Sequence, residues 1–137
     1  MYVYELNLRV RYAETDQMQY VYYGNYATYF EVARVEALRN LGYSYKKLEQ
    51  EGVMMPVLEN FSKFIRPARY DDLLRICVRV EELPTARMRF DYEIYNEENT
   101  LLHIGYTLLV FVSTQTMRPV RCPETMTNLL EKYFQIN

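Results

Sequence analysis

One long stretch of this chain carries apolar residues at helical spacing, and the segments around it alternate with a period of two. Tyr26, Tyr29, Phe30, Ala33, Ala37 and Leu41 fall on one helical face, while Thr28, Glu31, Arg34, Glu36 and Arg39 occupy the rest. Asn25 precedes the stripe as a candidate N-cap, and Gly42 follows it at a position suited to the left-handed end of a helix. Ser44 is placed to cap a second, short helix, with Tyr43 and Leu48 as a hydrophobic staple and Gly52 as its end.

The remainder reads mainly as strand. Leu6, Leu8, Val10 and Tyr12 alternate with Glu5, Asn7, Arg9 and Arg11. Residues 53–66 are mixed, and Pro56 there suggests an edge or a bend. Leu74, Ile76, Val78 and Val80 form one alternating set, and Met88, Phe90, Tyr92 and Ile94 another, with Pro84 marking the turn between. The polar run Asn96–Thr100 predicts a hairpin. Residues 101–113 are apolar on both faces toward their end, which predicts a central strand covered on both sides. A terminal helix is expected from Pro123 as first helical residue, with Met126, Leu129, Leu130, Tyr133 and Phe134 as its stripe. The order predicts one α+β domain over residues 1–137. It has a five-stranded antiparallel sheet wrapped around one long central helix, a short helix and a C-terminal helix.

Composition removes several function classes. A net charge of −2, from 16 basic and 18 acidic residues, asks for neither nucleic acid nor a membrane surface. Cys77 and Cys122 lack any framework spacing, the N-terminal segment has no long apolar run, and no stretch is long enough to span a bilayer. A cytoplasmic location is the expectation. No serine elbow, phosphate loop or dinucleotide fingerprint occurs, and Cys77, Cys122 and His103 have no metal-ligand spacing, so neither metal nor cofactor is expected. The single histidine, His103, sits mid-strand on the face opposite Leu102 and Ile104 and reads as a packed or solvated side chain. The 15 tyrosines, beside no tryptophan, suit interfaces and pocket walls.

What remains is the loop over residues 13–24, long for a small domain. Its acidic residues precede a helix N-terminus, where amides point outward and negative charge is favoured. On composition alone, Asp16 and Glu14 are ordinary turn formers and hydrogen-bond acceptors. Arg11, Tyr12, Glu14, Thr15, Asp16, Asn25 and Tyr26, however, match in spacing the signature of the 4-hydroxybenzoyl-CoA thioesterase family of hotdog proteins. Residues 64–72, FIRPARYDD, resemble that family's segment before the third strand, so the resemblance spans essentially the whole chain. It implies a hotdog fold and a cytoplasmic acyl-CoA thioesterase that assembles as a dimer or tetramer. It also implies that Asp16 is the catalytic carboxylate, either attacking the thioester or serving as general base on water. The backbone N–H of Tyr23 then polarises the thioester carbonyl, Gly24 admits its close approach, and Asn25 serves as helix cap or as site polarity.

Lys63, Arg66, Arg69, Arg87 and Arg89 are candidates for the coenzyme A phosphates, some from a neighbouring subunit, and Tyr26 for the substrate pocket. A solvated strand face is the plainer reading of Arg87 and Arg89. Glu31 is a second helix carboxylate, placed off the apolar stripe, where an interface or salt-bridge role is the plainer one. Two departures from the family pattern stand out. Gln19 replaces a common glycine, which demands either an ordinary φ there or a strained one. Tyr23 replaces a common histidine, a change that spares a backbone N–H role but not a side-chain one. A catalytically silent protein that binds acyl-CoA or acyl carrier protein is the alternative. A hydratase lacks the histidine it normally needs.

Overall fold

The computed structural model describes residues 1–135. Its elements run β1 (Tyr2–Arg9), α1 (Asn25–Leu41), α2 (Tyr45–Gln50), β2 (Val53–Met54), β3 (Val57–Phe64), β4 (Leu73–Val80), β5 (Arg87–Tyr95), β6 (Leu101–Val110), β7 (Val112–Ser113) and α3 (Glu124–Leu130). Five strands form one antiparallel sheet in the order β1-β4-β5-β6-β3, and β2 pairs with β7 beside it. Short connections build the β4-β5-β6 meander. β3, which precedes it in sequence, returns to the far edge.

Alternation places one side chain set against the helices. Leu74, Ile76, Val78 and Val80 of β4 are buried, as are Met88, Phe90, Tyr92 and Ile94 of β5. The α1 stripe meets them as expected, and two of its rings lie flat on sheet side chains. Phe30 stacks on Tyr92 at 4.1 Å, and Tyr26 stacks on His103 at 3.9 Å. Gly105 of β6 makes room for this packing. A Cβ there would stand 2.3 Å from the Phe61 carbonyl oxygen and 2.7 Å from the Phe30 ring. Leu48 of α2 and Met126 and Leu130 of α3 join the same core. The expected single long central helix is therefore not matched as such: α1 has 17 residues and shares the core with α2 and α3.

Gly42 ends α1 with φ 95°, and the Ser44 hydroxyl accepts from the Lys47 N–H at the start of α2, both as the sequence predicts. Several expectations are corrected. Gly24, not Asn25, occupies the N-cap of α1, because the Asn25 side chain is already engaged with the loop. Pro123 is the N-cap of α3 rather than its first helical residue. Ile104, Tyr106 and Leu108 on the outer face of β6 are only half-buried, so the cover expected on both sides is present on one. Arg34, assigned to the polar side of α1, is buried at 8% exposure. α1 rotates it toward Tyr45 and Tyr92, whose hydroxyls face the guanidinium.

Candidate active site

The loop before α1 is built as a small hairpin. Thr15 bridges Val21, and the Asp16 N–H donates to the Tyr20 carbonyl at 2.8 Å. The Asp16 side chain closes this turn from inside, its Oδ1 accepting from the N–H groups of Met18 at 2.9 Å and Tyr20 at 3.3 Å. Among the described residues Oδ2 has no such donor. One carboxylate oxygen thus fixes the side chain while the other stays available. Gln19 completes the turn with φ 67°, so of the two alternatives posed by its sequence the strained one is realised.

Glu14 anchors the hairpin to the body of the domain. Its Oε1 accepts from the Arg11 N–H at 2.8 Å and from the Tyr29 hydroxyl at 3.0 Å, and the Arg11 guanidinium sits on Oε2 at 2.9 Å. Burial alone would push this carboxyl up, but the Arg11 and Tyr29 hydrogen bonds outweigh it and hold the pKa below the usual carboxylate value. The Glu14 carbonyl oxygen accepts from the Tyr22 N–H and from Asn25 Nδ2, both at 2.8 Å. Residues 66–72 buttress the other side. The Val21 N–H donates to the Ala68 carbonyl, Tyr20 bridges Arg69, and the Ala68 N–H reaches the Tyr26 hydroxyl.

A cavity of about 270 Å³ opens between the hairpin, the first turn of α1 and the end of β3. Asp16, Met18, Tyr23, Tyr26, Phe64 and Arg66 are among its walls. Among the described residues the Tyr23 N–H finds no backbone acceptor, and it lies beside the α1 N-terminus. The Tyr23 ring is exposed and packs on Tyr22 at 4.6 Å. Gly24 lies in helical conformation, and a Cβ there would come within 2.8 Å of the Tyr22 ring.

The remaining candidates are dispersed. Arg69 is exposed beyond the cavity rim and covers the Tyr20 ring at 4.9 Å, and Lys63 is exposed on β3. Arg87 and Arg89 line a larger cavity of about 640 Å³ at the β4-β5 turn, to which no helix contributes a residue. There Arg89 pairs with Asp91 and covers the Tyr106 ring at 4.0 Å. Glu31 is exposed on α1, away from Asp16 and in a separate cavity. His103 is packed, not solvated, between Tyr26, Phe30 and Phe64, and burial pushes its ring down to about 4. Sequence reading missed the anchoring role of Glu14 and the apolar wall of Phe64, Ile65 and Pro67. The run between β3 and residues 68–72 was the available signal for the wall.

A fixed carboxylate and a residue with an unengaged amide at a helix start line one cavity, a pairing that suits the chemistry of acyl transfer. Residues 18–103, more than half of the chain, match the family model described as the thioesterase superfamily. The chain belongs to the thioesterase superfamily. This superfamily member is 34% identical over 119 residues to the acyl-CoA thioester hydrolase YbgC of Escherichia coli, covering 87% of this chain and 89% of that protein. It is 29% identical over 99 residues to a 1,4-dihydroxy-2-naphthoyl-CoA hydrolase of Thermosynechococcus vestitus, covering 72% and 68%. Among solved structures, the DHNA-CoA thioesterase of Staphylococcus aureus superposes with a TM-score of 0.87 at 32% identity, covering 100% of this chain and 98% of that one. The α+β architecture of this superfamily member is thus that of the hotdog thioesterases.

Proposed function

We propose that this protein hydrolyses the thioester of an acyl-coenzyme A to the free acid and coenzyme A at the cavity holding Asp16. The observation that carries the reading is Asp16 itself: one oxygen accepts from two backbone amides, and the side chain lines a cavity at the α1 N-terminus. In one route the free oxygen attacks the thioester carbon, the thiolate of coenzyme A leaves, and water cleaves the resulting mixed anhydride. In the other the carboxylate takes a proton from the attacking water. In both, the Tyr23 N–H receives the developing oxyanion, an interaction whose loss costs about 2.7–4 kcal/mol in comparable sites. Gly24 and Asn25 hold that amide in place, the latter through its bond to Glu14. Neither metal nor cofactor takes part in this scheme.

Arg66 lines the cavity, which suits the phosphates of coenzyme A, whereas Lys63 and Arg69 are exposed outside its lining. Arg87 and Arg89 serve the same ligand only if a second subunit presents them. A twofold dimer through the β3 edge fits this need. That edge is unpaired among the described residues and exposes Val57, Leu58, Phe61 and Phe64. A dimer there closes the cavity from the Phe64 side, and pairing of dimers yields a tetramer. The cytoplasm is the expected compartment, and the 4-hydroxybenzoyl-CoA branch the expected subfamily.

Thiol release from a panel of acyl-CoAs tests the reading. Asp16→Asn is expected to lower kcat by about 10²–10⁴-fold, the range for a positioned acid–base group, while acyl-CoA binding persists. Unchanged turnover in that variant removes the assignment.

A further inference from the structure

The Tyr29 hydroxyl is a polar group on a helix stripe that calls for none. Tyr29 faces the core at 1% exposure, where a phenylalanine would fill the same apolar space. Its hydroxyl instead donates to Glu14 Oε1 at 3.0 Å, across 15 residues of sequence. Burial and the facing Glu14 carboxylate push this phenol up, so it remains a donor across the neutral range.

Glu14 is held in two ways. Arg11, three residues before it, reaches Oε1 with its N–H and Oε2 with its guanidinium, and thereby ties Glu14 to its own segment. Attachment to α1 comes from two other points. The Glu14 carbonyl oxygen accepts from Asn25 Nδ2 at 2.8 Å, and the carboxylate takes the Tyr29 hydroxyl. Asn25 and Tyr29 are four residues apart, so they follow one another along a single face of the helix. One attachment leaves a residue free to pivot, whereas two, at main chain and side chain, fix its orientation. Among the described residues, Tyr29 is the only side chain beyond Arg11 that bonds the Glu14 carboxylate.

Both halves of the site depend on that orientation. Asp16 follows Glu14 by two residues, and Tyr22, whose N–H donates to the same Glu14 carbonyl at 2.8 Å, immediately precedes the Tyr23 amide. A pivot at Glu14 therefore changes the separation of carboxylate and amide. A displacement of about 1 Å at a reacting centre costs about 100-fold in rate.

Resting on the thioesterase reading above, we infer that Tyr29 is a positioning residue, whose hydroxyl acts through Glu14 to hold the Asp16 carboxylate and the Tyr23 amide at their working separation. It touches no reacting atom. Its loss slows the chemical step and leaves acyl-CoA binding intact.

The test measures kcat, KM and thermal unfolding midpoints for Tyr29→Phe, with Tyr43→Phe as control. Tyr43 is as buried as Tyr29, and its hydroxyl also donates to a glutamate, Glu51, but it lies just past the C-terminal end of α1. Tyr29→Phe is expected to lower kcat by about 10- to 100-fold at unchanged KM, and Tyr43→Phe to keep kcat within about twofold. In a Glu14→Ala background, Tyr29→Phe is expected to cost less than about twofold more, because its partner is already gone. A kcat that survives Tyr29→Phe, a rise in KM alone, an equal loss in Tyr43→Phe, or a full loss in the Glu14→Ala background each overturns the inference. If Tyr29→Phe does not fold, Glu14→Asp decides: it keeps the charge for Arg11 but draws the carboxylate back from the hydroxyl, and an unchanged kcat overturns the inference. A wild type that cleaves none of a panel of acyl-CoAs overturns the thioesterase reading and this inference with it, whereas brisk wild-type cleavage that Tyr29→Phe leaves intact overturns the inference alone.

Discussion

The hairpin carrying Asp16 and the β5-β6 hairpin are held by different forces. In β5-β6, period-two alternation sends Met88, Phe90, Tyr92 and Ile94 into the core, and dispersion and apolar burial do the rest. In the Asp16 hairpin few side chains are buried. Its shape comes from backbone amides converging on Glu14, Asp16 and Ala68. Core packing tolerates little change in volume, whereas the site loop tolerates little change in its polar acceptors. Damage to the first should appear as lost stability, and damage to the second as lost activity at modest stability cost.

Substitutions can break this contrast. Phe30→Ala removes a fully buried ring that stacks on Tyr92, and an unfolding midpoint shift equivalent to about 3–5 kcal/mol is expected in denaturant titration. Gly105→Ala sets a Cβ against the Phe61 carbonyl and the Phe30 ring, so about 1–3 kcal/mol is expected by the same measurement. Glu14→Gln keeps the shape but removes the charge facing Arg11. About 1 kcal/mol of stability is expected to go, with a much larger fall in thiol release as the hairpin loosens. If its activity falls no more than its stability suggests, the proposed division between the two hairpins is wrong. Gln19→Gly relieves the positive φ and is expected to raise stability by about 0.5–1 kcal/mol.

A pH titration sharpens the same comparison from the core side. The His103 ring is pushed down to about 4 by burial, from about 6.5 when exposed. Its aromatic neighbours among the described residues are Tyr26, Phe30 and Phe64, none of them charged. The contribution of the neutral ring is complete above about pH 6.5 and is lost as pH falls toward about 4, because the unfolded chain takes up the proton first. Thermal unfolding midpoints should fall over that window in the wild type and less steeply in His103→Phe.

The sheet was legible from alternation, and the α1 stripe from its 3.6-residue period, because burial leaves a repeating mark on sequence. Strand order was less legible. Nothing local in residues 57–64 says that they cross to pair with β6 at an edge, although Pro56 hinted at it. Arg34 was misplaced because a helical wheel ranks positions by polarity, and a buried guanidinium held by tyrosines looks like a surface one. The candidate site was suggested by a motif, not by periodicity: Asp16 and Tyr23 came from the family resemblance. The anchoring of Glu14 by Arg11, Tyr29 and Asn25 needed coordinates, since those partners lie 3, 15 and 11 residues away.

The flat contact between His103 and Tyr26 has a practical use. With a single imidazole in the chain, a selectively labelled histidine gives one set of ring signals in an NMR spectrum. Tyr26 forms a wall of the Asp16 cavity, so ring-current changes at that imidazole would report occupancy in real time.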